Sequence, residues 1–435
     1  MAGFLGMRGT GDFTVDGQRP KNWREMILYL YPNGSAPLTA ILSKLKSEKT
    51  DDPEFNWYTK ILSQQAGAIT GIFTDAGLTS AYTDGGVAGD ILYVRMSEDD
   101  AKEFRVGHQV LLRASDSISV DKNCKVLGRA LNGTSSYIQV RLLENDNTSG
   151  FDISDATRAL VVGNINAEGA GMPDAISYDP VKWSNLTQIF RTPLEITRTA
   201  KRTRLRTGDA YKEAKREALE LHSIEMEKAF LWGVRSENIG SNGKPERTTQ
   251  GLIQTIRQAA PQNVQDFRTW STANLSSANW IVDTNAEQPG EIFLDAMLEQ
   301  LFRYGGKEKL AFCGSGALLA INRLVKSRGT YNISVSTKDY GIQVTEWVTA
   351  FGRINCIVHP LFSFEPSNRH TMVIFEPANL RYRYIDDTTF YPDGEKQNTG
   401  PNRIDGTKEE FLTEAGLEYH HPIGWGILTG VGLNP

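Results

Sequence analysis

Hydrophobic residues recur at helical spacing in one long segment near the middle of the chain. From Thr207 to Trp232 there is no proline, and Gly208 is the single glycine. The apolar positions on one side are Ala210, Ala214, Ala218, Leu221, Ile224 and Ala229. The other side carries Glu213, Arg216, Glu217, Glu220 and Glu227. This pattern predicts a helix over about 207–232, roughly 38 Å long, which packs its alanine side on a sheet of the same subunit and is the longest helix of the chain.

Both ends of the predicted helix carry sequence signals. Asp209 lies in the first turn, where a carboxylate suits the positive end of the helix dipole. Gly233 follows the last helical residue, and a glycine at that place predicts a left-handed residue that ends the helix.

Upstream of this helix the pattern is that of β-strands. Between about residues 89 and 163, four short apolar runs read as strands: ILYVRM, FRVGHQVLLRA, CKVLGRAL and SSYIQVRLL. Asn132 and Gly133 separate the last two runs, and this dipeptide favours a tight hairpin because both residues accept positive φ. We therefore expect a small β domain inserted into the main body of the chain.

The first 50 or so residues contain two weaker helical patterns. One lies between Pro20 and Pro32 and a second follows Pro37. Their apolar positions are Trp23, Met26, Ile27 and Leu30 in the first, and Leu38, Ile41, Leu42 and Leu45 in the second. Helices this short are marginal in water, so the arm is expected to dock on its own body or on another subunit.

From residue 291 onward helical and strand-like segments mix. EIFLDAMLEQLFRYG and GALLAINRLVKSRG are predicted helices, and LAFCG between them is a predicted buried strand. Further strands are predicted at GIQVTEWVTAFG, INCIVHPLF, TMVIFEPANLRYRYI and WGILTGVGL. Interior strands are expected to pack beneath the two helices.

Composition is that of a soluble globular protein with several subdomains. The chain has 435 residues, of which 40% are hydrophobic and 23% are charged. No apolar run approaches the length of a membrane span, and the first residues lack the apolar stretch of a signal peptide. Cys124, Cys313 and Cys356 are scattered and odd in number, which favours a reducing cytosol over a disulfide framework.

Charge is unevenly distributed along the chain. Residues 181–235 carry twelve Lys/Arg and seven Asp/Glu, a surplus of +5, whereas residues 89–160 carry nine and eleven, a balance of −2. The basic excess is densest just before the long helix, at Arg198, Lys201, Arg202, Arg204 and Arg206. We expect these five residues to contact a neighbouring subunit or DNA. A solvated strand edge, where Lys and Arg discourage aggregation, is the alternative.

Two segments resemble catalytic or metal-binding motifs, but each lacks residues that its motif requires. CGSGA resembles a nucleophile elbow, but Cys313 stands where that motif requires glycine. DFTVDG resembles a calcium loop, yet Thr14 replaces one ligand and Trp23 replaces the bidentate glutamate. His359 is interpreted as a hydrogen-bonded core or edge residue. No catalytic, cofactor-binding or metal-binding residue is predicted.

The order of these parts resembles the major capsid proteins of tailed bacteriophages. The segments that carry the resemblance are the docking arm, the β excursion, the long helix behind a basic strand, RTTQGLIQTI, FCGSGALLAINRL, MVIFEPANLRYRYI and EAGLEYHHPIGWGILTGV. The resemblance implies the α+β Johnson fold. It would consist of an N-arm (1–54), an E-loop (55–180) with an inserted β domain (about 89–163), a P-domain (181–290) with a spine helix (about 207–232), and an A-domain with closing strands (291–435).

The resemblance implies a structural protein rather than an enzyme. It would assemble as hexamers and pentamers into an icosahedral capsid around double-stranded DNA, in the host cytoplasm and then in the virion. Implied partners are further copies of the chain, scaffolding, portal and decoration proteins, and DNA on the inner face, with neither membrane nor cofactor. Two alternatives stay open: a bacterial nanocompartment shell protein of the same fold, and a cytosolic enzyme or carbohydrate-binding protein that uses the β insertion. The aromatic residues of the insertion, Tyr93, Phe104 and Tyr137, are too sparse to favour the last.

Overall fold

The computed structural model describes residues 37–42, 46–60, 65–114, 118–148, 150–203, 209–276, 279–282, 288–328, 334–339, 342–392 and 406–434. Helices and strands are mixed along the chain, which makes the fold α+β. The helices are α1 (Pro37–Leu42), α2 (Glu98–Lys102), α3 (Arg198–Arg202), α4 (Ala210–Trp232), α5 (Leu252–Ala259), α6 (Phe267–Asn274), α7 (Pro289–Phe302), α8 (Ser315–Arg328) and α9 (Pro360–Phe364). The second predicted arm helix is present as α1, whereas the first, between Pro20 and Pro32, lies outside the described residues.

The strands fall before and after α4. Those before it are β1 (Ser47–Lys49), β2 (Glu54–Thr59), β3 (Ala66–Phe73), β4 (Ile91–Met96), β5 (His108–Arg113), β6 (Lys122–Ala130), β7 (Tyr137–Leu142), β8 (Arg158–Asn164), β9 (Val181–Leu186) and β10 (Gln188–Thr197). Those after it are β11 (Ser236–Ile239), β12 (Pro245–Thr248), β13 (Val264–Asp266), β14 (Glu308–Cys313), β15 (Ser334–Asp339), β16 (Ile342–Val348), β17 (Arg353–Val358), β18 (Met372–Phe375), β19 (Leu380–Tyr391), β20 (Gly406–Tyr419) and β21 (Gly426–Thr429). The chain divides into two compact units, one of residues 58–182 and one of the residues on either side of that segment.

In the larger unit, α4 packs on a four-stranded sheet ordered β1-β19-β20-β10. Strands β10 and β20 are antiparallel, with Gln188 opposite Ala415 and Thr197 opposite Gly406. Alternate residues of β10 are buried, and Phe190 meets Phe230 of α4 edge to face at 5.9 Å between ring centroids. The prediction that the long helix packs on a sheet of its own subunit is therefore confirmed.

Helix α4 is the longest described helix, with 23 residues, and the side chain of Asp209 caps it by accepting a hydrogen bond from Tyr211 N. Its buried residues are Ala218, His222, Met226, Glu227, Phe230 and Leu231. The predicted sides were wrong at two positions, since Leu221 is 55% exposed and Glu227 is fully buried. The sheet and α1 cover α4 on different sides. A prediction that assigns one apolar stripe to the buried side does not describe a helix covered in this way.

Gly233 also differs from its prediction. Its φ of −54° is not left-handed. A Cβ at this position would lie 2.3 Å from the carbonyl oxygen of Ala229 and 2.5 Å from that of Thr249. Glycine is required here because two stretches of backbone come close together, and not because of a left-handed turn.

The C-terminal half forms a seven-stranded sheet ordered β13-β21-β18-β14-β17-β16-β15. Helices α7 and α8 share a hydrophobic core with it that includes Phe293, Ala317 and Ile374. The segment predicted as one strand at TMVIFEPANLRYRYI forms two strands in different sheets, since β18 belongs here and β19 lies in the sheet beneath α4. Among the described residues, no helix has both the length and the apolar character needed to cross a membrane.

The unit of residues 58–182 is built around a closed β-barrel in the order β3-β4-β7-β6-β5-β8. The four predicted strands are present as β4 to β7, and β3 and β8 complete the barrel, which therefore spans Ala66–Asn164 rather than about 89–163. Its interior is filled by apolar side chains, among them Val94, Leu112 and Val140. Side chains at alternate positions pack inward, as closure of a small barrel requires.

Strands β6 and β7 pair as the Asn-Gly dipeptide predicted, but the turn differs. Gly133 has φ +54°, whereas Asn132 has φ −149° and is not left-handed. Gly133 opens a short 3-10 turn, and the hydroxyl of Ser136 accepts from Asn132 N at 2.8 Å and donates to Gly133 O at 2.8 Å. The connection is thus longer than a two-residue hairpin loop.

Candidate assembly surfaces

The described part of the basic run lies on α3, directly after β10. Arg198, Lys201 and Arg202 belong to this short helix and are exposed, whereas Arg204 and Arg206 lie outside the described residues. The expectation of a basic strand is therefore wrong for the described part: β10 ends at Thr197, whose hydroxyl caps α3 by accepting from Ala200 N at 3.2 Å. The ammonium of Lys201 lies 4.4 Å from the ring centroid of Tyr211, a cation–π distance.

A buried carboxylate fixes the arm to the long helix. Glu227 of α4 accepts hydrogen bonds from Leu38 N, Thr39 N and Thr39 Oγ1 at 2.8, 2.8 and 2.7 Å. Its Oε1 also lies 2.8 Å from Nε2 of His359, and both side chains are fully buried. The first backbone N–H groups of α1, which have no partner within the helix, thus find one on α4. This arrangement positions the arm at Pro37–Leu42 on its own chain.

Sequence reasoning missed the role of Glu227 because a glutamate in a charged helix normally faces solvent. His359 was interpreted correctly as a hydrogen-bonded core residue. Its place in the apolar run INCIVHP was the available signal that a polar partner had to exist. The partner lies 132 residues away along the chain, and no local pattern identifies it.

A second buried polar contact joins α4 to the sheet beneath it. The ring of His222 lies between two threonine hydroxyls, with Nδ1 2.9 Å from Thr192 Oγ1 on β10 and Nε2 2.8 Å from Thr413 Oγ1 on β20. Burial lowers the pKa of His222 below its ordinary value, although the carboxylate of Glu225 acts in the opposite direction. The neutral ring donates through one nitrogen and accepts through the other, and a hydroxyl suits either role.

A buried ion pair lies where the seven-stranded sheet meets the segment 422–425. The ammonium of Lys309 donates to Glu376 Oε1 at 2.8 Å and to the carbonyl of Gly424 at 2.9 Å. Glu376 in turn accepts from Gly306 N at 2.7 Å. Because each charge has several partners, the pair is tolerated in a low-dielectric interior.

The glycines of the CGSGA segment allow close packing against neighbouring residues. The segment connects β14 to α8, and a Cβ on Gly314 would lie 2.2 Å from the carbonyl oxygen of Arg369. A Cβ on Gly316 would meet the ring of His370 at 2.7 Å. The hydrogen bond with Cys356 and complete burial both raise the pKa of Cys313 well above its ordinary value, which keeps the thiol protonated and unreactive. The glycines are therefore explained by close packing.

Two further features of the described part of the chain bear on metal or ligand binding. No cluster of three or more His, Cys, Asp or Glu side chains there could hold a metal ion. A cavity of about 180 Å³ between α7 and α8 has a mainly apolar lining that includes Leu294, Ile321 and Trp347. Burial, with a smaller contribution from Glu291, raises the pKa of Asp295 at this cavity.

The three aromatic residues considered for carbohydrate or oligonucleotide binding, Tyr93, Phe104 and Tyr137, are engaged in packing. Phe104 is fully buried in the barrel core. Tyr93 and Tyr137 pack against each other edge to face, 5.4 Å apart. These three rings stabilise the barrel and do not form an open platform for stacking.

Comparison with known proteins identifies the family. The SU10 major capsid protein family matches residues 9–432, almost the whole chain. The major capsid protein of Pseudomonas phage PaMx41 is 24% identical over 426 residues, which cover 94% of this chain and 92% of that protein.

Solved structures are more distant. A structure of Mycobacterium phage Cain aligns over 98% of both chains with 9% identity and a TM-score of 0.44. The holo-SrpI encapsulin complex of Synechococcus elongatus PCC 7942 aligns over 60% of this chain and 78% of its own, with 15% identity and a TM-score of 0.37. Since both scores are low, the assignment depends on the match over residues 9–432 and on the full-length phage relative. The chain belongs to the SU10 major capsid protein family.

Proposed function

We propose that copies of this chain assemble as hexamers and pentamers into an icosahedral shell that encloses the double-stranded DNA of a tailed bacteriophage. The match to a capsid family over residues 9–432 carries this proposal. A closed shell repeats each contact at every subunit, so contacts that are individually weak add up to a stable assembly. Assembly takes place in the host cytoplasm, and the finished shell is part of the virion.

The described elements can be related to the parts of a capsid subunit. Helix α4 is the spine helix of a P-domain, and the seven-stranded sheet with α7 and α8 is the core of an A-domain. Residues 55–180 are the E-loop with its inserted β domain, and residues 1–54 are the N-arm. Strand β20 pairs with β10 on one side and with β19 on the other, in the sheet beneath α4, which supports the assignment of β19 and β20 to the P-domain although they follow the A-domain segments in sequence.

The basic run makes charge contacts outside its own subunit, with acidic positions on a neighbour's E-loop in preference to DNA. Support comes from the surplus of +5 in residues 181–235 against the balance of −2 in residues 89–160. Arg198, Lys201 and Arg202 are exposed on α3, where a neighbour can reach them. Exposed ion pairs contribute only about 0 to 1 kcal/mol each, so the effect depends on repetition around the shell.

Packaged DNA contacts the inner face without sequence preference, through phosphate charge alone. Scaffolding, portal and decoration proteins are further partners of such a shell. The role is structural, without catalysis: the cysteines are buried and the clusters of polar side chains described above are engaged in packing.

Electron microscopy of the purified protein tests the main proposal. Closed shells or ring-shaped capsomers are expected, and protein that stays monomeric at high concentration would overturn it. For the basic run, the variant Arg202→Gln/Arg204→Gln/Arg206→Gln is compared with Lys307→Gln/Arg323→Gln/Lys326→Gln, which removes the same charge from exposed positions elsewhere.

The first triple variant should remain folded and form fewer shells than both the wild type and the control variant. The deficit should be largest at low ionic strength and shrink near 1 M salt, where the Debye length falls to about 3 Å. Equal shell yields of the two triple variants at every salt concentration would assign the run to a solvated surface instead.

A further inference from the structure

The cavity between α7 and α8 has apolar walls of the size that suits one small organic group. Helix α7 contributes Leu294, helix α8 contributes Ile321 and Leu324, and strand β16 contributes Trp347. The cavity measures about 180 Å³. A cavity of about 150 Å³ with aliphatic and aromatic walls binds benzene, so this one has room for a single ring or a short alkyl chain.

Asp295 adds a carboxylate to this lining. The residue lines the cavity and is also open to solvent, so a ligand can approach it from outside. Burial, and to a smaller extent Glu291, raises its pKa, and no positive group in the described part of the chain offsets these two effects. Asp295 therefore has no cation of its own chain beside it.

The other polar side chains of the lining are already engaged. Thr349 donates its hydroxyl to Gly352 O at 2.8 Å and accepts from Gly352 N at 3.1 Å, within the turn between β16 and β17. Glu291 also lines the cavity and takes part in another interaction. The charged residues of the lining are thus both acidic, and Asp295 is the one left to receive a ligand. This charge favours a cation over a neutral molecule or an anion.

We propose that the cavity binds a small organic cation, namely a primary ammonium ion attached to a single ring or a short alkyl chain. The apolar body lies against Leu294, Ile321 and Trp347, and the ammonium donates a hydrogen bond to the carboxylate of Asp295. Burial of the apolar body stabilises the complex, and the charge-assisted hydrogen bond selects the cation. The site belongs to one subunit, so it goes beyond the proposed assembly and does not require it.

Four probes separate the two contributions in the full-length protein. Benzylammonium has both the ring and the positive charge, benzyl alcohol has the ring without charge, benzoate has the ring with a negative charge, and methylammonium has the charge alone. In isothermal titration calorimetry benzylammonium should bind saturably to one site per chain. Benzyl alcohol should bind roughly tenfold more weakly, because it lacks the charge-assisted hydrogen bond, and the other two probes should bind more weakly still.

Two variants of α7 test the role of the carboxylate. Asp295→Asn should abolish the preference for benzylammonium over benzyl alcohol, so that the ratio of the two affinities falls from roughly ten to about one. Glu299→Gln is the matched control, since Glu299 lies one helical turn further along α7 and pairs with Arg303 instead of lining the cavity. It should keep the wild-type ratio. Absence of saturable binding, or the same ratio in Asp295→Asn as in the wild type, would overturn the proposal.

Tryptophan fluorescence locates the ligand. Trp347 lines the cavity, so benzylammonium should change the emission of the wild type, and this change should be absent in Trp347→Phe. Trp183→Phe is the control, because Trp183 packs against Tyr419 in a different hydrophobic core and should leave the change intact. A change that persists in Trp347→Phe would place the ligand elsewhere and would also overturn the proposal.

Discussion

Substitution of Glu227 gives the sharpest test of how the arm is held. The carboxylate is fully buried and meets three donors on the arm, together with the ring of His359. In Glu227→Gln the shape is kept, but one carboxylate oxygen becomes an NH2 group. Whichever oxygen is replaced, that group points at a backbone N–H, either of Leu38 on Oε1 or of Thr39 on Oε2. One buried donor is thus left without an acceptor.

The cost follows from this unpaired group. A buried donor without a partner costs about 1 to 3 kcal/mol, which corresponds to roughly 5- to 150-fold in an equilibrium constant. Glu227→Ala removes every acceptor at once, and by analogy with a broken buried pair it should cost about 3 to 5 kcal/mol. Glu217→Gln is the matched control, since Glu217 is exposed on the same helix and should change stability by less than about 0.5 kcal/mol.

Hydrogen exchange of the amides of Leu38 and Thr39 reads the effect directly, because these N–H groups are the donors. Their protection should fall in the order wild type, Glu227→Gln, Glu227→Ala, with Glu217→Gln equal to wild type. If Glu227→Gln left both amides as protected as in the wild type, the carboxylate would not be what holds α1.

Three further outcomes are expected. Ala218→Pro should prevent folding, because it removes a backbone hydrogen bond and clashes within α4 at a cost of about 3 kcal/mol or more; soluble protein with native circular dichroism would contradict this. The pKa of His222 in the folded state lies below the unfolded value of 6.5, so the unfolded state binds the proton more tightly and the free energy of unfolding should fall as pH drops below about 6.5. His222→Gln should flatten that pH dependence in urea titrations, and an unchanged slope would contradict the argument. The isolated segment 58–182 should fold and melt cooperatively, since its core is formed by its own residues; a disordered NMR spectrum would contradict this.

Local patterns were sufficient where the partner of a residue lay close in sequence. The apolar spacing in 207–232 predicted α4 to within three residues of its start, and alternation predicted β4 to β7. Strand pairing across long sequence separations could not be predicted. Gln188 of β10 lies opposite Ala415 of β20, and no residue pattern in either strand identifies the other as its partner. For this reason residues 291–435 were assigned to an A-domain with closing strands, and the return of β19 and β20 to the sheet beneath α4 was not predicted.

Partners that are distant in sequence also explain the errors in the predicted sides of α4. Two of these distant contacts set the position of the helix. Apolar contacts tolerate rotation, since an alanine or leucine packs acceptably in many orientations. A buried polar side chain requires its particular partners, because an unmet donor or acceptor is costly. Glu227 and His222 are separated by about 7.5 Å along the helix axis, and each is satisfied only when α4 has one rotation and one register. His222 fixes the position of α4 on the sheet, and Glu227 fixes the position of α1 on α4. Neither the sheet nor α1 can therefore shift along α4 without breaking hydrogen bonds.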